Sequence, residues 1–194
     1  MNRPMIIAPL IISSLLIGCV TEKKPTFKDV DQQISAVSTA APFFKPTQAM
    51  KYTWAEPITF YTPNDIQVDD ATRNWVNQSL NTELKQHGYP LDGYALGNET
   101  QSSDYKLKAA VVVGKDAQSD EIYKHLGIDA ALHTENGDQN TGNLVLVFIN
   151  TTTQSVDWRG VIQMTVLEEA DFETRQTRIG SAVRQLVQAI PKPK

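Results

Sequence analysis

The chain has 194 residues, of which 41% are hydrophobic and 21% are charged, and its 18 basic and 22 acidic side chains give a formal net charge of −4. This length fits one domain with additional terminal segments. The acidic balance and the lack of a basic block argue against a nucleic-acid-binding protein and against attachment to anionic lipids through a polybasic patch. The single cysteine excludes a disulfide framework and a thiol-based metal or redox pair.

The N-terminus has the features of a lipoprotein signal peptide. Arg3 precedes an apolar run over residues 5–17, which is shorter than the roughly 20 residues that a membrane-spanning helix needs. The run is followed by Gly18 and Cys19, which resembles the bacterial lipobox, where signal peptidase II cleaves before the cysteine and the thiol is lipidated. We therefore predict that residues 1–18 are a signal peptide and that Cys19 anchors the mature chain to a membrane.

The segment 19–48 is predicted to be a flexible tether between the anchor and a folded domain. It is polar and contains three prolines, and such segments bury too little apolar surface to offset the cost of ordering. Phe43 and Phe44 are the exception within it. These adjacent rings can dock on the protein's own domain, which we favour, or on a partner, so both are candidate binding residues.

The first half of the domain is predicted to contain a strand and a long helix. Alternation over residues 50–54 indicates a half-buried strand, and residues 58–61 form another extended piece. The helix is predicted to begin at Asp69 or Asp70, because either aspartate can cap it, and to end at Gly88.

The second half is predicted to contain three strands and two helices. The predicted elements are a loop at 89–103, a strand at 105–113, a short helix at 120–126, a strand at 144–149 that is covered on both faces, a strand at 156–166 that completes an antiparallel hairpin, and a helix that ends before Pro191.

This order of elements predicts an α+β domain over residues 49–194. We expect an antiparallel or mixed sheet of about four strands with two long helices on one face. The body of this domain is predicted to be periplasmic, held at its membrane by Cys19.

Several of these segments resemble a family of Gram-negative envelope lipoproteins that carry a C-terminal domain of unknown function. The similar segments are Tyr52-Thr53-Trp54, the hairpin over residues 142–160 that contains Trp158-Arg159-Gly160, and the closing helix before Pro191. Asn150 departs from the pattern, where the family favours aspartate. The resemblance implies a fold and a place in the envelope but no chemistry. By resemblance to the same lipoproteins, Val20 after the lipidated cysteine implies sorting to the outer membrane.

The sequence does not predict a catalytic, cofactor or metal site. The three histidines, His87, His125 and His133, do not have the spacing of a metal motif. Trp158 and Arg159 are the most distinctive pair, because an arginine beside an indole can clamp an anionic group. However, neighbours on a strand face opposite ways, so we expect Trp158 to pack in the core and Arg159 to pair with an acid on the other face.

The function predicted from these features is that of a non-enzymatic outer-membrane lipoprotein that binds an envelope protein or supports an envelope assembly. The alternative is an auxiliary lipoprotein that carries a lipid or another hydrophobic ligand between sheet and helices. In that case the aromatic residues available to line a groove are Phe43, Phe44, Trp54 and Trp75. An open apolar cavity between the two layers would favour the alternative.

Overall fold

The computed structural model describes residues 34–62, 67–94, 103–114, 120–127, 141–167 and 170–194. The predicted signal peptide and Cys19 lie outside these ranges. Within them the chain forms seven strands and three helices. In chain order these are β1 (Ser35–Ala40), β2 (Tyr52–Trp54), β3 (Thr59–Tyr61), α1 (Asp70–His87), β4 (Leu91–Tyr94), β5 (Tyr105–Val113), α2 (Asp120–His125), β6 (Thr141–Asn150), β7 (Val156–Thr165) and α3 (Phe172–Gln188).

All seven strands belong to one mixed sheet with the order β1-β7-β6-β5-β2-β4, and β3 pairs with β5 beyond the end of β2. The pairs β1 with β7, β7 with β6 and β6 with β5 are antiparallel, whereas β2 and β3 run parallel to β5. The predicted mixed α+β architecture is confirmed. The predicted number of about four strands was too low, because β1, β3 and β4 are short and are held by pairing with distant segments.

The long helices α1 and α3 lie side by side on one face of the sheet, as predicted. Trp75 Nε1 of α1 donates to the Gln176 carbonyl of α3 at 3.2 Å. Eight residues further along each helix, Arg184 of α3 donates to Glu83 of α1 at 3.2 Å. Both residue numbers increase in the same direction, so the two helices run parallel and their N-termini lie at the same end of the domain.

The ends of α1 follow the capping rules that its sequence predicted. The Asp69 side chain accepts a hydrogen bond from the Thr72 backbone N–H at 2.7 Å, which fixes the N-cap. Gly88 ends the helix in the left-handed conformation, with φ at 104°, and its N–H bonds to carbonyls of the last turn.

The hairpin of β6 and β7 forms the centre of the domain. Residues 143–148 are all buried, because one face of β6 packs under the long helices and the other under α2. The larger core cluster joins β2, β5, β6 and β7 to α1 and α3, and a smaller one joins Tyr123 and Leu126 to the opposite face of the sheet. A central strand covered on both faces was therefore predicted correctly.

Two segments predicted to lack regular structure are part of the sheet. Residues 35–40, expected in the tether 19–48, form β1 and pair with β7 from Ser35 opposite Gln163 to Ala40 opposite Trp158. The sheet therefore includes residues that lie before the predicted domain boundary at 49. Within the predicted loop 89–103, Leu91–Tyr94 form β4, which pairs with β2.

Candidate functional site

The two adjacent phenylalanines of the N-terminal segment have opposite environments. Phe44 is 6% exposed and packs edge-on against Tyr105 and Phe148, with ring centroids 5.5 and 5.7 Å away. Phe43 is 65% exposed. Phe44 therefore docks on the protein's own domain, whereas Phe43 remains available to a partner.

Trp158 and Arg159 do not form a joint site. Trp158 is 1% exposed and meets Phe148 edge-on at 5.6 Å in the core under the long helices. Arg159 is the next residue of β7, half-buried on the opposite face, and no acid among the described residues lies within ion-pair distance of it. The glycine that follows has a packing role: a Cβ on Gly160 would collide with the Trp158 indole and lie 2.8 Å from Leu186.

A polar network beside this strand explains the departure at Asn150. The Asp157 carboxylate is buried and accepts hydrogen bonds from the Tyr105 hydroxyl at 2.9 Å, Asn150 Nδ2 at 3.1 Å and Ser155 Oγ at 2.7 Å. The Asn150 Oδ1 accepts from the Thr152 backbone N–H at 2.9 Å. An aspartate at position 150 would direct a second carboxylate at Asp157, so asparagine suits this hairpin.

The histidines have no shared environment in the described part of the chain. His87 Nε2 lies 2.7 Å from the Ile190 carbonyl, where it ties the end of α1 to the residues after α3. His133 and the His125 side chain fall outside the described residues. Across the described ranges no three His, Cys, Asp or Glu residues are arranged to hold a metal ion.

The outer edge of the sheet at β1 carries an exposed apolar strip, which we call the β1 edge and define as residues 35–43. All six residues of β1 are exposed. Of the three large hydrophobic side chains exposed among the described residues, two belong to this strip, Val37 and Phe43, and the third is Phe172. Within the described chain, β1 pairs on one side only, with β7.

A cavity of about 470 Å³ lies between the sheet and the long helices, at the end where both helices begin. Its apolar walls come from β3, β5, β6 and β7 below and from α1 and α3 above. The apolar lining residues are Phe60, Val68, Val76, Val111, Val113, Leu144, Met164, Val166, Leu167, Ala170, Ile179 and Ala182. The layer between sheet and helices is therefore packed at one end and open at the other.

Two arginines of α3 give this cavity a charged side. Arg178 is 5% exposed, and its Nη2 donates to the Thr165 carbonyl at 2.8 Å, so it lies deep in the wall. Arg175 lies nearer solvent, and its Nη1 is 3.5 Å from Asp69 Oδ2. The Nε of Arg175 is buried and has no hydrogen-bond acceptor among the described residues. A buried donor of this kind is uncommon in native proteins.

Asp69 lies at the cavity end of the layer, and its neighbours shift its pKa. The pKa of Asp69 lies below its usual range, mainly because the Thr72 backbone N–H donates to the carboxylate, with further contributions from the Thr72 hydroxyl and the nearby Arg175. Asp171 caps α3 in the same way through the Thr174 N–H at 2.7 Å, and its pKa is also lowered. Both helix N-termini therefore present stabilised negative caps beside the two arginines.

None of the aromatic residues proposed from sequence lines this cavity. Trp54 is buried and donates to Asn81 Oδ1 at 2.8 Å, and Trp75 donates to α3, while Phe43 and Phe44 belong to the opposite end of β1. Neither arginine was predicted as a site residue from the sequence. One signal was present: Arg178 occupies the same helical stripe as Ala182 and Leu186, which are fully buried.

No known protein-family model matches the chain, and no curated protein matches it. Among solved structures, the PelC dodecamer from Paraburkholderia phytofirmans is similar, with a TM-score of 0.53, 13% identity and coverage of 83% of this chain and 99% of that chain. A variant of the same dodecamer gives a TM-score of 0.50, 15% identity and coverage of 81% and 99%.

A DUF330 protein from Xanthomonas campestris also aligns, with 14% identity, coverage of 77% of this chain and 85% of that chain, and a TM-score of 0.39, which is too low to support an inference. At these identities the similarity to PelC shows a shared fold. The predicted membership of an envelope-lipoprotein family stays a prediction. Over the described residues, no helix combines the length and apolar character needed to cross a membrane.

Proposed function

We propose that the protein is a non-enzymatic lipoprotein, anchored through Cys19 at the periplasmic face of the outer membrane, whose domain self-associates in an envelope assembly. The observation that carries this proposal is the uncovered β1 edge. An exposed strand edge offers backbone N–H and C=O groups to another chain, which is one of the common modes of protein association.

The composition of β1 supports an interface rather than a protected edge. Proteins usually block exposed edges with charged side chains or proline. The six residues of β1 are Ser, Ala, Val, Ser, Thr and Ala, so the strand itself has neither, and the one proline of the β1 edge, Pro42, comes after the paired residues. Val37 and Phe43 add large apolar side chains to the same strip. An edge of this composition is expected to be covered by another protein surface.

The similarity to PelC agrees with a second copy as that surface. PelC is a dodecamer, and nearly the whole of its chain aligns with this domain. The shared fold therefore includes a protomer that assembles with its own copies. Self-association here remains our proposal, because it depends on the β1 edge of this chain.

Native mass spectrometry of the full-length lipoprotein, extracted gently from its own envelope, tests this proposal. We expect one uniform oligomer larger than a monomer. Replacing Phe43→Ser together with Val37→Lys should dissociate it, because the strip loses both apolar side chains and gains a charge. The matched control is Phe172→Ser, which removes a side chain as exposed as Val37 from α3 and should leave the oligomer intact.

Two results would change the proposal. A wild-type protein that stays monomeric at cellular concentration would contradict self-association. A different envelope protein bound in place of a second copy, and lost with the same double variant, would keep the β1 edge as an interface but replace self-association by assembly with that partner.

A second function, carriage of a hydrophobic ligand, is supported by the cavity of about 470 Å³. A volume of this size falls in the range of roughly 300–1,000 Å³ typical of small-molecule sites. The same mass spectra test it, since a carrier should retain a lipid in addition to its covalent anchor. The cavity and the β1 edge are separate surfaces, so either function can fail without the other.

A further inference from the structure

We infer that the cavity binds one acyl chain with an anionic head group, and that it receives this ligand at the membrane to which the protein is anchored. The inference rests on the proposed membrane anchor and on the carriage function, and it is independent of self-association. The lining of the cavity indicates the chemistry of the ligand, its orientation and the residues that recognise it.

The volume of the cavity fits a single chain. A water molecule occupies about 30 Å³ of liquid, and a methylene group is of similar size. A cavity of about 470 Å³ therefore accommodates on the order of 15 such groups, which is one acyl chain rather than two. A ligand with two chains would have to leave one of them in solvent.

The inner walls suit a hydrocarbon chain. Val76 of α1, Val111 of β5 and Ile179 of α3 are apolar residues from three different elements that face the same space. The transfer of each methylene group from water into such surroundings is favourable. The long helices and the sheet are held together at their other end, so the space between them does not close by collapse of the layer.

The polar groups at the solvent side indicate a negative head group. Arg175 is about two-fifths exposed and marks the opening of the cavity, whereas Arg178 lies deeper in the wall. An arginine binds carboxylate and phosphate oxygens through several N–H groups in one plane.

Among the described residues, two carboxylates near this opening oppose an anion. Asp69 lies 3.5 Å from Arg175 Nη1 and caps α1, and Asp171 caps α3. Both carboxylates already accept backbone N–H groups of their own helices. Since the contact with Asp69 uses Nη1 alone, the rest of the exposed part of the Arg175 side chain can bind an incoming carboxylate while the ion pair with Asp69 persists.

The register of β1 places the start of the described chain at the cavity end of the sheet. Ser35, the first residue of β1, lies opposite Gln163, next to Met164 and Thr165 of the cavity lining. The described chain therefore begins at the cavity end, with residue 34 lying 15 positions after Cys19. About 15 residues separate Cys19 from residue 34, which limits their distance to roughly 50 Å even in a fully extended chain.

A photoactivatable palmitate, with a diazirine on the acyl chain, tests the proposal on the full-length lipoprotein in phosphatidylcholine nanodiscs. We expect crosslinks in peptides that contain Val111 or Ile179, and competition by unlabelled palmitate. A hexadecylamine of the same length with the same diazirine measures the effect of head-group charge, and we expect it to crosslink about tenfold less at equal concentration, by analogy with other charge-assisted contacts.

Two arginine variants separate recognition from folding. Arg175→Gln should reduce palmitate crosslinking about tenfold, because it removes a charge-assisted contact. Arg184→Gln is the matched control, since Arg184 also joins α3 to α1 through an acid, Glu83, but does not line the cavity. It should leave crosslinking unchanged. Val111→Phe fills the cavity and should block crosslinking in a variant whose unfolding transition shows that it folds.

The source of the chain is decided by two further probes. Diazirine-labelled lysophosphatidylglycerol should crosslink at the same peptides as palmitate if a lipid head group is recognised, whereas palmitate alone indicates a free fatty acid; both results support an anionic single-chain ligand. Equal crosslinking of palmitate and hexadecylamine would overturn the anionic head group. Crosslinks confined to the exposed surface would overturn the cavity as the site. Preferred crosslinking of two-chain phosphatidylglycerol would overturn a ligand with one acyl chain. Native mass spectrometry of the same samples reports the oligomer separately.

Discussion

The layer between the sheet and the two long helices is built differently at its two ends. At the end where α1 and α3 finish, Tyr52, Tyr89 and Phe148 pack with centroid distances of 4.8 and 5.3 Å between neighbouring rings. We call this the aromatic end. At the opposite, cavity end, aliphatic side chains and two arginines line an open space. The same two helices therefore cover a filled layer and an unfilled one.

The two ends also treat charge differently. Burial is the main reason that the pKa values of Tyr52 and Tyr105 rise to about 12, so these hydroxyls stay neutral over the physiological range. At the cavity end the pKa of Asp69 is lowered instead, so its carboxylate stays ionised. The comparison indicates that the aromatic end holds the domain together and that the cavity end is available for a ligand.

The largest predicted effect is a loss of unfolding free energy from altered packing at the aromatic end. Gly160→Ala should cost about 1–3 kcal/mol of unfolding free energy, because the added methyl collides with Trp158 and Leu186. Urea unfolding of the full-length protein measures the loss. Gly180→Ala is the matched control: no atom lies within 4 Å of its added Cβ, and alanine favours a helix interior, so this variant should be as stable as the wild type or more so. Equal losses in the two variants would contradict the packing argument.

A smaller effect is predicted for the polar network beside the aromatic end. Asn150→Asp should cost about 1–2 kcal/mol at neutral pH, because it removes a donor to the buried Asp157 and adds a like charge. The double variant Asn150→Asp with Asp157→Asn restores one amide and one carboxylate, so it should recover part of the stability. No recovery would show that the two side chains are not coupled.

The smallest effect is predicted at the cavity end. Asp69→Ala should cost about 1 kcal/mol at pH 7, because α1 loses its N-cap. Since the folded-state pKa of Asp69 lies below the unfolded value near 3.9, this contribution is present above that value and is lost as the pH falls through the folded pKa. Unfolding measured at pH 7 and at acidic pH should therefore show a larger cost at pH 7. Asp69→Asn keeps an acceptor and should lose less.

The sequence predicted the elements whose signals are local. Asp69 and Gly88 bound α1 through capping chemistry that four or five neighbouring residues determine, and the alternation over 105–113 and 156–166 placed β5 and β7. In contrast, β1 and β4 have weak patterns of their own. They form because β7 and β2 present free backbone groups to them, and a linear pattern does not show which distant strand has a free edge.

The candidate site was predicted less well, for a related reason. A cavity is a space that side chains leave unfilled, and its position depends on how two helices sit over a sheet. The four aromatic residues expected to line a groove lie elsewhere. Trp54 donates a hydrogen bond to Asn81, and Phe44 packs in the core. Arg178 on a buried helical stripe was the one local sign, since a charged residue there requires a special environment.

The pairing of β1 with β7 also has a consequence for how the chain folds. Ser35 meets Gln163, and Gln48 donates its backbone N–H to the Lys194 carbonyl at 3.2 Å, so segments from both ends of the domain complete one another. Contacts between such distant residues raise the contact order, which slows folding. We therefore expect newly made chain to stay unfolded until β7 and α3 have been synthesised.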